Sequence, residues 1–237
     1  MLDHIDLQNV LVLDIETVPQ FSSYAEVSEE VSSLWEQKTQ YQRRDGETAE
    51  GYYPRAGIWA EFGKVACISV GAFYRKNGQL GLKVKSFASE NETEVLEDFT
   101  GMLKKQPSTL TLCAHNGKEF DFPYLCRRLL INCMAIPTQL QLAGKKPWEI
   151  NHIDTMELWK FGDYKNYTSL NLLASVFNIP TPKDDISGAD VHRVYWEEKD
   201  LARIKNYCQK DVITTAQLLL KFKCQPLIPE RFINFLE

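Results

Sequence analysis

The sequence predicts an α/β domain built on a mixed central sheet. Short apolar runs rich in β-branched residues dominate its first half, and amphipathic helical stretches dominate its second. Between them lies a strand–turn–helix unit. At 237 residues the chain is long enough to bury a sizeable core. A composition of 44% hydrophobic and 25% charged residues excludes a disordered, collagen-like or coiled-coil chain.

In chain order, residues 9–15 (NVLVLDI) form a β-rich apolar run, and Pro19 stops sheet pairing just beyond it. Residues 24–44 set Val27, Val31, Leu34 and Trp35 at helical spacing, whereas 46–57 mix Gly, Pro, Glu and Tyr without period, as a loop does. Residues 65–74 and 82–87 read as strands, with Lys76-Asn77-Gly78 between them as a hairpin signal. Residues 92–103 carry Val95, Leu96, Phe99 and Leu103 on one helical face, and 109–114 (TLTLCA) are another buried strand. Downstream, 121–131, 169–177 and 200–223 read as helices. The last has a stripe of Leu201, Ile204, Val212, Leu218 and Leu219. Residues 178–199, with Pro180, Pro182 and Ser187-Gly188, read as a connection.

The net charge of −5 is unevenly spread. Residues 1–60 hold 11 acidic and 4 basic side chains, and residues 61–237 hold 21 and 23, so the acidity gathers at one end and vetoes no local phosphate site. No stretch approaches the roughly 20 apolar residues of a membrane helix, and the N-terminus lacks the charged and apolar regions of a secretory signal. The six cysteines form no CxxC pair. They read as reduced core thiols rather than a disulfide framework or zinc site, which places the chain in the cytoplasm as an expectation.

Three segments carry chemistry. In Leu13-Asp14-Ile15-Glu16-Thr17, strand alternation projects Asp14 and Glu16 to one side. Paired carboxylates at the end of an apolar strand repel unless the strand end is solvated or a divalent cation sits between them, and hard oxygen donors suit Mg²⁺ or Mn²⁺. In residues 114–125 (AHNGKEFDFPYL), a strand delivers the chain to a polar turn and Phe120-Asp121 opens a helix. There Asp121 is open to N-capping, Asn116 to turn formation, and the aromatics to core packing. In Tyr207-Cys208-Gln209-Lys210-Asp211, i,i+4 spacing puts the Tyr207 ring and the Asp211 carboxylate on one face. A packed ring beside a surface ion pair to Lys210 or Arg203 has the same spacing.

Asp-x-Glu on the first strand, Phe-Asp after a later strand and Tyr-x-x-x-Asp on the last helix follow one another at about 100 residues apart. In this the chain resembles the DEDDy exonuclease superfamily, named for four acidic residues and a tyrosine. Within it the chain is most similar to the proofreading 3′–5′ exonuclease domain of family B DNA polymerases and its stand-alone bacterial relatives. LDIET looks like that family's first motif, HNGKEFDFPYLCRR its second and YCQKDVITT its third, and SGADVHRVYWEEKDL is similar to the stand-alone group. The resemblance spans Asp14 to Thr215.

It implies a ribonuclease H-like fold over 1–237, with an acidic helical insert at about 20–60 that departs from a minimal exonuclease domain. It also implies two divalent cations, Mg²⁺ or Mn²⁺, held by Asp14, Glu16, Asp121 and Asp211. Tyr207 would orient the attacking water, since a phenol of pKa about 10 is a poor base at neutral pH. Thr17, Asn116, Phe120 and Tyr124 would hold the terminal nucleotide. The substrate so implied is the 3′ end of single-stranded DNA, released as nucleoside monophosphates. RNA is the alternative, and a catalytically dead nucleic-acid-binding scaffold the remote one.

Other residues stay open at this level. His152 and Asp154 fit a metal-supporting pair, or a strand end in which Asp154 caps the next helix. His115 fits a phosphate contact or a satisfied turn. Lys104-Lys105, Arg127-Arg128 and Lys145-Lys146 read as solvated basic faces or as contacts to a single strand's backbone, and the last, beside Trp148, also fits a stacking platform.

Overall fold

The computed structural model describes residues 2–163, 167–181 and 186–236. Strand β1 (Val10–Pro19) pairs antiparallel with β2 (Gly63–Lys76), which turns back antiparallel into β3 (Gln79–Ala88). Asn77 and Gly78 at that turn both have positive φ, 51° and 77°, as a two-residue hairpin of matching twist requires. On the other side of β1 lie the parallel strands β4 (Thr111–Ala114) and β5 (Ile153–Asp154). A short strand β6 (Ile233–Leu236), not foreseen from the sequence, runs parallel to β3, giving the order β5-β4-β1-β2-β3-β6.

Eight α-helices are formed among the described residues: α1 (Glu29–Thr39), α2 (Ala49–Tyr52), α3 (Glu92–Leu103), α4 (Asp121–Ile131), α5 (Thr155–Lys160), α6 (Leu170–Val176), α7 (Val191–Trp196) and α8 (Leu201–Phe222). None is long and apolar enough to cross a membrane.

The alternation of β1 sorts its side chains. Leu11, Leu13 and Ile15 pack with Val95, Leu96 and Phe99 of α3 and Leu125 and Leu129 of α4. Val10 and Val12 pack on the opposite face with Val212, Ala216 and Leu219 of α8. Gly71 lies across from Val12. A Cβ there would stand 2.8 Å from Val212 Cγ1, so the glycine lets α8 close onto the sheet. Asp14 and Glu16 share the parity of Val10 and Val12, so they too face α8.

Five expectations need correction. Residues 24–44 form a shorter helix, because the Ser28 side chain accepts from Val31 N–H and starts α1 there. Residues 46–57 are not a loop. Thr48 caps α2, and a 3₁₀ turn (Tyr53–Ile58) follows, both held by tertiary packing of Tyr52, Tyr53, Trp59 and Phe62 around the fully buried Trp35. Residues 178–199 contain α7, whose Val191, Val194 and Tyr195 are buried; Pro182 lies outside the described residues. Arg128 is no solvated cation. It is 5% exposed and ion-paired to Glu92. All six cysteines are free. Cys67, Cys113 and Cys208 are buried as expected, but Cys133 and Cys224 are exposed.

Candidate active site

Asp14 and Glu16 lie in the middle of β1, which pairs on to Pro19, so the carboxylates are not at a strand end as expected; Glu16 comes just before a register shift. Glu16 stands opposite Cys67 and Thr17 opposite Val65, so β2 carries Ala66 as an extra, bulged residue. Glu16 is 7% exposed, and Asp14 Oδ2 is buried with no hydrogen-bond partner among the described residues.

The second segment reaches the same place from β4. Asn116 takes a left-handed conformation, φ 66°, and its carbonyl accepts from Phe120 N–H at 3.0 Å. A Cβ on Gly117 would lie 2.4 Å from Ala114 Cβ, so only glycine fits this turn. Asp154 pins the turn from β5. Its carboxylate accepts from Asn116 N–H (2.9 Å), Lys118 N–H (3.0 Å) and Met156 N–H (2.9 Å), capping α5 and fixing the polar turn together. Asp121, 4% exposed, is the first residue of α4 rather than its cap, and the Ile15 amide donates to its carboxylate. From α8, the Tyr207 hydroxyl donates to Asp211, and both lie near Asp14 and Glu16.

Three of these carboxylates are perturbed by burial and by their neighbours. Burial, then repulsion from Glu16, Asp211 and Asp121, holds the Asp14 carboxyl well above the usual carboxylate range. Glu16 is raised likewise by burial and by Asp211. Burial pushes Asp121 up to about 7, helped by Asp154 and Asp211 and opposed by backbone amides. Burial among these carboxylates also holds the Tyr207 phenol well above its usual value. A divalent cation fits this arrangement, because it would take up the orphaned Asp14 oxygen and cancel the repulsion, and every carboxylate donor is hard oxygen.

A pH dependence follows. Carboxylates with raised folded-state pKa bind protons more tightly folded than unfolded. Their stabilising contribution is whole below the unfolded pKa near 4 and is lost as pH rises toward about 7 for Asp121. Urea unfolding of the metal-free protein should therefore show stability falling between about pH 5 and pH 7, and saturating Mg²⁺ or Mn²⁺ should flatten that fall. A slope indifferent to metal would contradict the arrangement.

The expected nucleotide contacts divide. Thr17, Asn116 and Phe120 are partly exposed, and the Phe120 ring lies 5.3 Å from that of Tyr124. Tyr124 itself is 1% exposed. Its hydroxyl donates to Gly57 O at 2.8 Å and receives the Thr17 hydroxyl, so it ties the insert to the end of β1 and offers no ring face to a nucleotide.

Both histidines are committed elsewhere. His152 Nδ1 accepts from Leu112 N–H (3.2 Å), and its Nε2 donates to Gln139 O (2.8 Å). His115 lies between Thr155 Oγ1 (2.8 Å) and Thr168 O (2.9 Å). Burial lowers both pKa values, favouring the neutral rings. Trp148 is 76% exposed, with Lys146 Nζ 5.3 Å from its ring centre.

A family model described as a predicted 3′–5′ exonuclease related to the exonuclease domain of PolB matches residues 58–226. The chain belongs to this exonuclease family. The matched stretch takes in Asn116, Phe120, Asp121, Tyr207 and Asp211, while Asp14, Glu16 and Thr17 precede it. No curated protein matches. Among solved structures, the chain is similar to the family B DNA polymerase from the hyperthermophilic archaeon Pyrobaculum calidifontis. The TM-score is 0.55 at 16% identity, over 91% of this chain and 24% of the polymerase. That likeness is one of fold: the six-stranded mixed sheet flanked by helices is ribonuclease H-like, as in a polymerase exonuclease domain. The chain thus spans about a quarter of that polymerase's length.

Proposed function

We propose that this member of the exonuclease family removes nucleoside monophosphates from the 3′ end of single-stranded DNA, with two divalent cations, Mg²⁺ or Mn²⁺, held by Asp14, Glu16, Asp121 and Asp211. The observation that carries the reading is the convergence of these carboxylates from β1, α4 and α8 with Tyr207 among them, where burial and repulsion from neighbouring carboxylates raise the proton affinity of Asp14, Glu16 and Asp121. On this reading the whole of 1–237 acts as one DEDDy-type domain interrupted by the insert at about 20–60.

When bound, the two cations supply a lowered water pKa and charge stabilisation of the departing 3′ oxygen. The chain's own residues do the rest. Tyr207, held by Asp211 and raised far from any pKa useful in a base, orients the attacking water through its hydroxyl. The half-buried Phe120 ring stacks on the terminal base. Asn116, set by its left-handed backbone and by Asp154, and Thr17, tethered by Tyr124, hydrogen-bond the terminal nucleotide. Tyr124 acts by positioning Thr17.

A gel time course with 5′-labelled single-stranded DNA and RNA of matched sequence, in Mg²⁺, Mn²⁺ or EDTA, tests the reading. The expected result is a metal-dependent ladder shortening from the 3′ end, faster on DNA and slowed about 10–100-fold by Tyr207→Phe. Faster shortening of RNA would move the substrate class, and no shortening of either strand in either metal would overturn the activity.

A further inference from the structure

Cys208 lies inside the third motif, between Tyr207 and Asp211, and is fully buried. Its position on α8 turns it toward β1, where its thiol donates to the Asp14 backbone carbonyl at 3.4 Å. Cys67, opposite Glu16 in the β1–β2 register, is hydrogen-bonded to it from the sheet. Donor atoms of Asp14, Glu16 and Cys208 lie within 4.8 Å of one another, a span that one cation can bridge. A second observation points to a ligand at this spot: Asp14 Oδ2, in the same cluster, is buried with no hydrogen-bond partner among the described residues. Mg²⁺ makes little use of sulfur. Zinc-class cations bind thiolate and carboxylate together, at about 2.3 and 2.0–2.2 Å.

We propose that Asp14, Glu16 and Cys208 form a binding site for a thiophilic divalent cation of the zinc class, overlapping the hard-cation site and competing with it. This deepens the reading above and rests on it for Asp14 and Glu16 as metal ligands. Binding converts the Cys208 thiol to a thiolate and releases its proton to the buffer. It engages both β1 carboxylates, so Zn²⁺ inhibits Mg²⁺-dependent cleavage at concentrations far below that of Mg²⁺.

Cadmium is the probe, because its bond to sulfur gives an ultraviolet charge-transfer band that carboxylates do not. The titration uses the full chain carrying Cys133→Ser and Cys224→Ser, which removes the exposed thiols. One Cd²⁺ per chain should raise the band. Cys208→Ser should abolish it and weaken Cd²⁺ binding about tenfold or more, while Cys67→Ser keeps it. Absence of the band, its survival in Cys208→Ser, or its loss in Cys67→Ser alone would overturn the proposal. Should Cys208→Ser lose the wild-type circular dichroism spectrum, Cys208→Ala makes the same comparison. In parallel, the Zn²⁺ concentration that halves Mg²⁺-dependent cleavage should rise about tenfold in Cys208→Ser. Cleavage without the band sinks this inference alone. The band without cleavage in any metal sinks the exonuclease reading and leaves the thiophilic site standing.

Discussion

Asp14→Asn should cut metal-dependent cleavage by about three orders of magnitude or more, and it should stabilise the metal-free protein at the same time. Both effects have one origin. Asp14 is held among Glu16, Asp211 and Asp121, and its buried Oδ2 has no protein partner among the described residues. In the metal-free state its charge is therefore a burden, relieved by neutralising the side chain at nearly constant shape. Each kcal/mol so gained raises the melting temperature of a domain this size by about 2–4 °C. With cation present the order should reverse, because the variant lacks a charge of the proposed cation site, so Mg²⁺ or Mn²⁺ should raise its melting temperature less than that of the wild type. A merely structural Asp14 would give the opposite signature, with the variant less stable in EDTA and its metal response intact. Turnover within tenfold of wild type on every substrate would remove Asp14 from the site.

Much of this arrangement is legible in the sequence where direction is set locally. Two-residue alternation in β1 points Asp14 and Glu16 the same way, and four-residue spacing in α8 does the same for Tyr207 and Asp211. The hairpin at Asn77-Gly78 and helix α3, capped by Asn91, are likewise local. What depends on tertiary packing is not legible. Helix α2 exists because Trp35 gathers aromatic rings around it, and Val191, Val194 and Tyr195 of α7 are masked by the proline- and glycine-bearing stretch before them. Strand β6 is a four-residue edge that owes its pairing to β3. The contact between Cys67 and Cys208 joins β2 to α8 across most of the chain, and no spacing rule announces it. Tyr124 misleads in the opposite sense. Its place in the second motif suggests a nucleotide contact, but its hydroxyl is shut inside, bonded to Gly57 O and packed against Gly63, where a Cβ would stand 2.5 Å from it.

The largest expected loss of stability comes from Arg128→Met. Arg128 and Glu92 are 5% and 8% exposed. Arg128 Nε donates to Glu92 Oε1 at 2.8 Å and its Nη1 to Ala60 O at 2.8 Å, while Glu92 also accepts from Val65 N–H (2.7 Å) and Asn132 Nδ2 (3.0 Å). Five parts of the fold meet here: the C-terminal half of α4, the residue that follows it, the start of α3, the start of β2 and the end of the insert. Removing the guanidinium leaves a buried carboxylate with only neutral donors, at a cost of about 3–5 kcal/mol. That corresponds to a fall in melting temperature on the order of 10 °C. If the uncompensated charge is the cause, adding Glu92→Gln should recover part of the loss, because glutamine still accepts from Val65 N–H and carries no charge. A double variant less stable than Arg128→Met would assign the cost to lost packing of the arginine stem. The consequence extends to the site, since Ala60 and Gly57 belong to the same segment, Gly57 O holds the Tyr124 hydroxyl, and Tyr124 holds Thr17. If Thr17 makes the nucleotide contact proposed above, Arg128→Met assayed below its melting temperature should raise KM for the cleaved strand more than it lowers kcat, because it disturbs the Tyr124 tether of Thr17 and leaves the carboxylates on β1 and α8 in place.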